Sequence, residues 1–175
     1  MSDQAVFCIA RGEEQAARIV EELREAGCSP NDVSVLFPDK TGTRDFAHEH
    51  HTKAPEGATT GGIAGGVVGG ALGWLAGIGT VAIPGVGPFI AAGPIMGLLG
   101  GAAVGAAVGG IAGALVGMGM PELEAKRYEG KLKDSNILIS VHTEDSAERS
   151  QVKEIMKRAG ADDISSGAES RPPRS

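Results

Sequence analysis

The chain has almost no aromatic side chains: four Phe, one Trp and one Tyr among 175 residues. Base-stacking platforms and large aromatic pockets need more rings than that. A basic surplus is missing too. The formal net charge is −6, which argues against nucleic acid, whose phosphates call for a basic face. Cysteine is scarce, and Cys8 and Cys28 lack the spacing of a metal pair. Cys8 falls in an apolar run and Cys28 just after an expected helix end, so both read as reduced structural thiols. The opening Met-Ser-Asp-Gln has no basic stretch leading into an apolar core. A cleaved signal peptide is therefore not expected there, which favours the cytoplasm or the cytoplasmic face of the inner membrane.

The most telling deficit is charge. Residues 57–121 contain no Asp, Glu, Lys or Arg, and 22 of these 65 residues are glycine. The glycines keep a period. Gly61, Gly65, Gly69, Gly73 and Gly77 fall every fourth residue, as do Gly93, Gly97, Gly101, Gly105, Gly109, Gly113 and Gly117. Four residues make little more than one helical turn, so each series lies along one stripe of a helix. A bare stripe lets two helices approach backbone to backbone, the small-xxx-small mode of membrane pairs.

The pattern predicts a glycine-zipper helical hairpin over residues 61–120. Its first helix spans 61–83, about 34 Å at 1.5 Å per residue and enough to cross a hydrocarbon core. A turn at Pro84, Gly85, Gly87 and Pro88 follows, and a second helix runs from Pro88 or Pro94 to about residue 118. In water each mid-helix glycine costs about 1 kcal/mol relative to alanine. In lipid the helix forms regardless, because unpaired backbone groups cost more. A membrane-associated hairpin is thus the first expectation, and hairpins buried between subunits of a soluble shell, ring or filament the second. Both make the chain its own partner, because one hairpin cannot bury both glycine stripes and its apolar faces. The twelve glycines are then oligomer contacts, and the lipid bilayer is a further partner in the first case.

The flanks read differently. Residues 5–9 form a short apolar strand, and 13–26 a helix whose Ala16, Ile19, Val20 and Leu23 recur at three and four. Gly27 suits its C-cap, and residues 33–37 form a second strand. Beyond the insert, Pro121 opens a short helix to about residue 131. Residues 136–142 alternate as a strand, Asp145 or Ser146 caps a helix to residue 158, and 161–164 form a brief edge strand. Without the extra helix this is the β-α-β-β-α-β order of a ferredoxin-like sandwich. The fold class is therefore α+β, with halves at 1–44 and 121–165. A histidine-containing linker (45–60) and the hairpin (61–120) interrupt it, and a disordered tail (166–175) ends it.

Candidate chemistry is sparse. The linker holds His48, His50 and His51. His48 and His51 would share a helical face, a candidate pair for zinc, copper or nickel. The alternative is a solvated linker whose histidines titrate near pH 6.5, so a metal or pH sensor is the third functional class. The segment departs from the His-Glu-x-x-His protease signature. Gly85-x-Gly87 lacks the strand-loop-helix context and the lysine of a phosphate loop. Glu13/Glu14 and Glu21/Glu22 lie on a solvated helix face. No catalytic residue, enzyme activity or cofactor is expected.

Two segments resemble a bacterial family. Asp-Phe-Ala-His-Glu-His-His-Thr-Lys-Ala-Pro-Glu-Gly (45–57) and Ala-Ile-Pro-Gly-Val-Gly-Pro-Phe-Ile-Ala-Ala-Gly-Pro (82–94) are similar to low-temperature-induced or general-stress proteins. The likeness extends over most of the chain. It implies a stress-linked bacterial protein with a glycine-zipper centre and no established catalytic residues. His50 departs from the family pattern, where lysine is expected, and this weakens a shared three-histidine site.

Overall fold

The computed structural model describes residues 4–38, 73–75, 79–83, 87–95, 105–117, 119–134 and 136–168. Its elements, in chain order, are β1 (Gln4–Ala10), α1 (Glu13–Glu25), β2 (Val33–Pro38), β3 (Gly79–Ile83), β4 (Gly87–Ala92), α2 (Gly105–Gly117), α3 (Glu122–Lys133), β5 (Ile137–Thr143), α4 (Ser146–Arg158) and β6 (Asp162–Ala168). The class is α+β. All six strands join one antiparallel sheet in the order β3-β4-β2-β5-β1-β6.

The strands at the centre alternate strictly. Val6, Cys8 and Ala10 of β1 enter one apolar cluster with Ile19, Val20 and Leu23 of α1 and Val152, Ile155 and Met156 of α4. Ala5, Phe7 and Ile9 enter a second cluster with Ile111 and Leu115 of α2 and Ala125, Tyr128 and Leu132 of α3. A period of two that is apolar on both faces requires cover on both. The sheet therefore lies between two helical layers.

Both helices of the α1/α4 layer end in the same way. Gly27 and Gly160 take φ of +93° and +76°. The N–H of Gly27 reaches the Arg24 carbonyl and that of Cys28 the Leu23 carbonyl. Gly160 and Ala161 repeat this on Lys157 and Met156. This is the Schellman pattern, which glycine favours because it lacks a Cβ.

The insert departs from the expected hairpin of helices. Residues 79–83, expected to close the first helix, form β3, and 87–92, expected near the start of the second, form β4. Ile83 pairs with Gly87, so the chain reverses between them, where the turn was expected; Pro84 and Gly85 lie outside the described residues. Thr80, Val81, Ile83 and Ile90 are β-branched and suit a pleated strand. Pro88 precedes Phe89, where pairing with β2 begins, so its missing N–H leaves that ladder intact. Glycine disfavours helix and strand interiors alike, so the β-branched side chains tip the choice, and the glycines stand at the strand starts, Gly79 and Gly87.

Among the described residues the second expected helix appears as α2, and it is broken at Gly110 (φ 54°, ψ −142°). Its Ile111 and Leu115 are fully buried on the sheet of the same chain. Covering each contributes roughly 1.5–3 kcal/mol, so neither lipid nor a second subunit is needed to hide them. Among the described residues no helix is long and apolar enough to cross a membrane. The first residues of the expected tail are strand instead. Ser166, Gly167 and Ala168 pair with Val6, Ala5 and Gln4 as part of β6.

Candidate functional site

The glycine rows were the principal candidates. Gly61, Gly65, Gly69, Gly77, Gly97 and Gly101 lie outside the described residues. Gly73 is exposed and faces open space. Trp74 and Leu75 beside it pack into the α1/α4 cluster, so the insert contributes to that core as well. Gly93, expected on a helical row, instead ends β4 at φ +83°, where a Cβ would lie 2.0 Å from the Val33 carbonyl oxygen. Its role is a close approach inside the chain.

Gly105, Gly109, Gly113 and Gly117 do fall in α2, but the break at Gly110 divides them two and two. A row on a continuous helix and a row across a break do not present the same face. Gly113 is half-buried, whereas Gly117 is exposed with nothing within 4 Å of a built Cβ. Close by in sequence lie Val116, 43% exposed, and Leu123 of α3, 84% exposed. These are the large exposed hydrophobic side chains among the described residues.

The α2/α3 layer has a polar fastening. The N–H of Ala112, freed by the break, donates to the Glu129 carboxylate of α3 at 2.8 Å. Lys133 Nζ pairs with the other carboxylate oxygen at 2.9 Å. Burial acts to raise the Glu129 pKa, but the bonds from Lys133 and Ala112 outweigh it and hold the carboxyl below its usual range. The Tyr128 hydroxyl is buried nearby in sequence with no hydrogen-bond partner, and burial, chiefly, pushes its pKa up. It stays a neutral phenol.

A second group of titratable side chains was not legible in the sequence. Pairing of Val33 with Val141 places Asp32 across from His142, whose N–H donates to the Asp32 carbonyl at 2.8 Å. Glu148 completes the corner from the first turn of α4. Its N–H donates to Asp145 Oδ1 at 2.8 Å, and its own carboxylate accepts the Glu144 N–H at 2.9 Å. This is a capping box with its return bond displaced by one residue. The Asp-x-x-Glu spacing at 145–148 was the available signal. Burial raises the Asp32 carboxyl, the His142 charge opposes this, and Glu148 and Glu144 reinforce it. Cys28 is raised by burial, then by the negative charges of Glu148 and Asp32. A thiol so placed stays protonated and is a poor nucleophile. Cys8, wholly buried, is pushed up to about 12 by burial.

His48, His50 and His51 lie outside the described residues. Among those described, no cluster of three His, Cys, Asp or Glu side chains is arranged to hold a metal ion. The solvated face of α1 forms an open groove with Arg11, Gln15, Arg18 and Glu22. Its charges are already engaged in part: Arg11 with Asp162 at 2.5 Å, and Glu22 with Arg158 at 2.9 Å. Comparison with protein-family models, with curated proteins and with solved structures finds no match for this chain.

Proposed function

We propose that this chain is a non-enzymatic, self-assembling protein of the bacterial stress-protein type that its 45–57 and 82–94 segments resemble. Its framework is read as a ferredoxin-like core, β1-α1-β2 and β5-α4-β6, because those four strands lie in the order β2-β5-β1-β6 with α1 and α4 on one face. The insert extends that sheet through β4 and β3 and covers its other face with α2, α3 following. On this reading the insert is an assembly layer, and the assembly is a protein particle rather than a membrane span.

The observation that carries the reading is the outward exposure of Val116, near the end of the charge-free stretch, and of Leu123, between Glu122 and Glu124 just beyond it. Apolar side chains of this size, exposed on adjoining elements, are suited to a protein contact. Sedimentation of the full-length protein tests it. The wild type should form multimers of the 17.7 kDa chain, and a Val116→Glu/Leu123→Glu variant should shift toward the monomer. A monomeric wild type at micromolar concentration sinks the proposal. Flotation with phosphatidylglycerol-containing vesicles is the companion measurement: wild-type protein that floats, and sediments as a monomer without lipid, would restore the bilayer as partner.

A further inference from the structure

Residues 111–117 are too short and too rich in glycine to persist as a helix alone, since isolated helices need roughly 12–15 residues even with favourable composition. Two ends hold this segment. At its C-terminal end the N–H of Gly119 bonds the Val116 carbonyl and that of Met120 bonds the Leu115 carbonyl. Met120 is buried, and β6 crosses so near that a Cβ on Gly167 would lie 2.2 Å from the Gly119 oxygen. That end is pinned. At the N-terminal end the Gly110 break leaves backbone N–H groups without helical partners. There Glu129 accepts the Ala112 N–H.

We infer that Glu129 is a latch: it holds residues 111–117 shut against the sheet as a strap whose pinned end is Gly119–Met120 and whose other end is the break at Gly110. Three features support this. The charge-free stretch has no carboxylate of its own with which to cap the segment. The latch carboxylate is itself steadied by Lys133, one turn further along α3. The broken conformation also depends on glycine, because φ of 54° with ψ of −142° lies outside what an L side chain readily adopts. Without the latch, Ile111 and Leu115 are the apolar anchors that remain on the strap.

Amide hydrogen exchange on the full-length protein reads the latch directly. In Glu129→Ala the amides of Ala112, Leu115 and Val116 should exchange about tenfold faster or more, while those of Cys8 and Ile139 in the sheet centre stay unchanged. Glu129→Gln keeps the volume and one acceptor oxygen and should restore most of the protection. Gly110→Ala, which penalises the break from the other side, should loosen the same amides. Exchange within about twofold of wild type at those amides, in either Glu129→Ala or Gly110→Ala, overturns the latch. So does acceleration spread equally over the sheet, which would mark a general loss of stability. Because Val116 lies on the proposed assembly surface, exchange is compared between wild type and variants of equal sedimentation state, so that loss of assembly and loss of the latch are told apart.

Discussion

Gly93 and Glu129 show how much a single residue decides here. Gly93 combines φ of +83° with backbone contact on Val33, so both conformation and space demand glycine. Gly93→Ala should destabilise the fold by more than about 2 kcal/mol, read as a lowered urea midpoint at unchanged slope. An unchanged midpoint would mean that β4 does not end against β2 in this way. Glu129 gives a pH dependence with a definite sign. Its folded pKa lies below the ordinary carboxylate value because Lys133 and Ala112 outweigh burial. The stability it contributes is therefore present above about pH 4.3 and is lost as pH falls through its lower folded value. The gap in melting temperature between wild type and Glu129→Gln should narrow steadily from about pH 6 to about pH 3. Facing Glu129 are Lys133 and the Ala112 N–H; α2 carries no charged side chain. The cysteines were readable from their surroundings in the sequence. Glu129 was not, because its partner lies 17 residues away on a helix whose break no local pattern marks.

Elements with a sharp amphipathic period and chemically distinct ends were legible. The α1 pattern at Ala16, Ile19, Val20 and Leu23 is the buried face observed, and Gly27 ends the helix as its lack of a Cβ suggests. In α4, Asp145 accepts the Glu148 N–H at 2.8 Å and Val152, Ile155 and Met156 are buried. Asp145→Ala should cost about 1 kcal/mol through the lost cap, measured by thermal or urea unfolding, whereas Ser146→Ala should leave stability nearly unchanged. Equal losses in both would remove Asp145 as the cap. Residues 79–83 and 87–92, which lie between the two glycine rows, were misread as helix at this level. A four-residue glycine period is a helical signal only if a helix is the best state of the segment. Glycine itself lowers that state, and β-branched neighbours at 80, 81, 83 and 90 offer a strand instead. β6 ran past its expected end because its pairing with β1 holds residues 166–168 in register. It does so through a bulge where Asp163 takes φ of 48°, a conformation Asp tolerates better than most residues.

In the molecule as a whole, the described parts of the charge-free stretch belong to the body of the fold. Leu75 and Ile90 enter one core cluster, and Phe89, Ala91, Ile95, Ile111 and Leu115 enter the other. Replacing residues 57–119 by a short flexible linker should therefore abolish cooperative unfolding and expose dye-binding apolar surface around Phe7, Leu36 and Leu138. A shortened chain that still melts sharply would show the core to be self-sufficient. The sequence by itself determined the α+β class, the two flanking strand-helix units and the want of charge in the insert, because each rests on local periodicity or composition. Only the tertiary structure decided that the insert would extend the sheet and close over its second face. Strand pairing and helix docking join residues far apart in the chain, as in Leu36 beside both Ala91 and Leu138. Such contacts are chosen by the burial of shared apolar surface, which no short window of sequence contains.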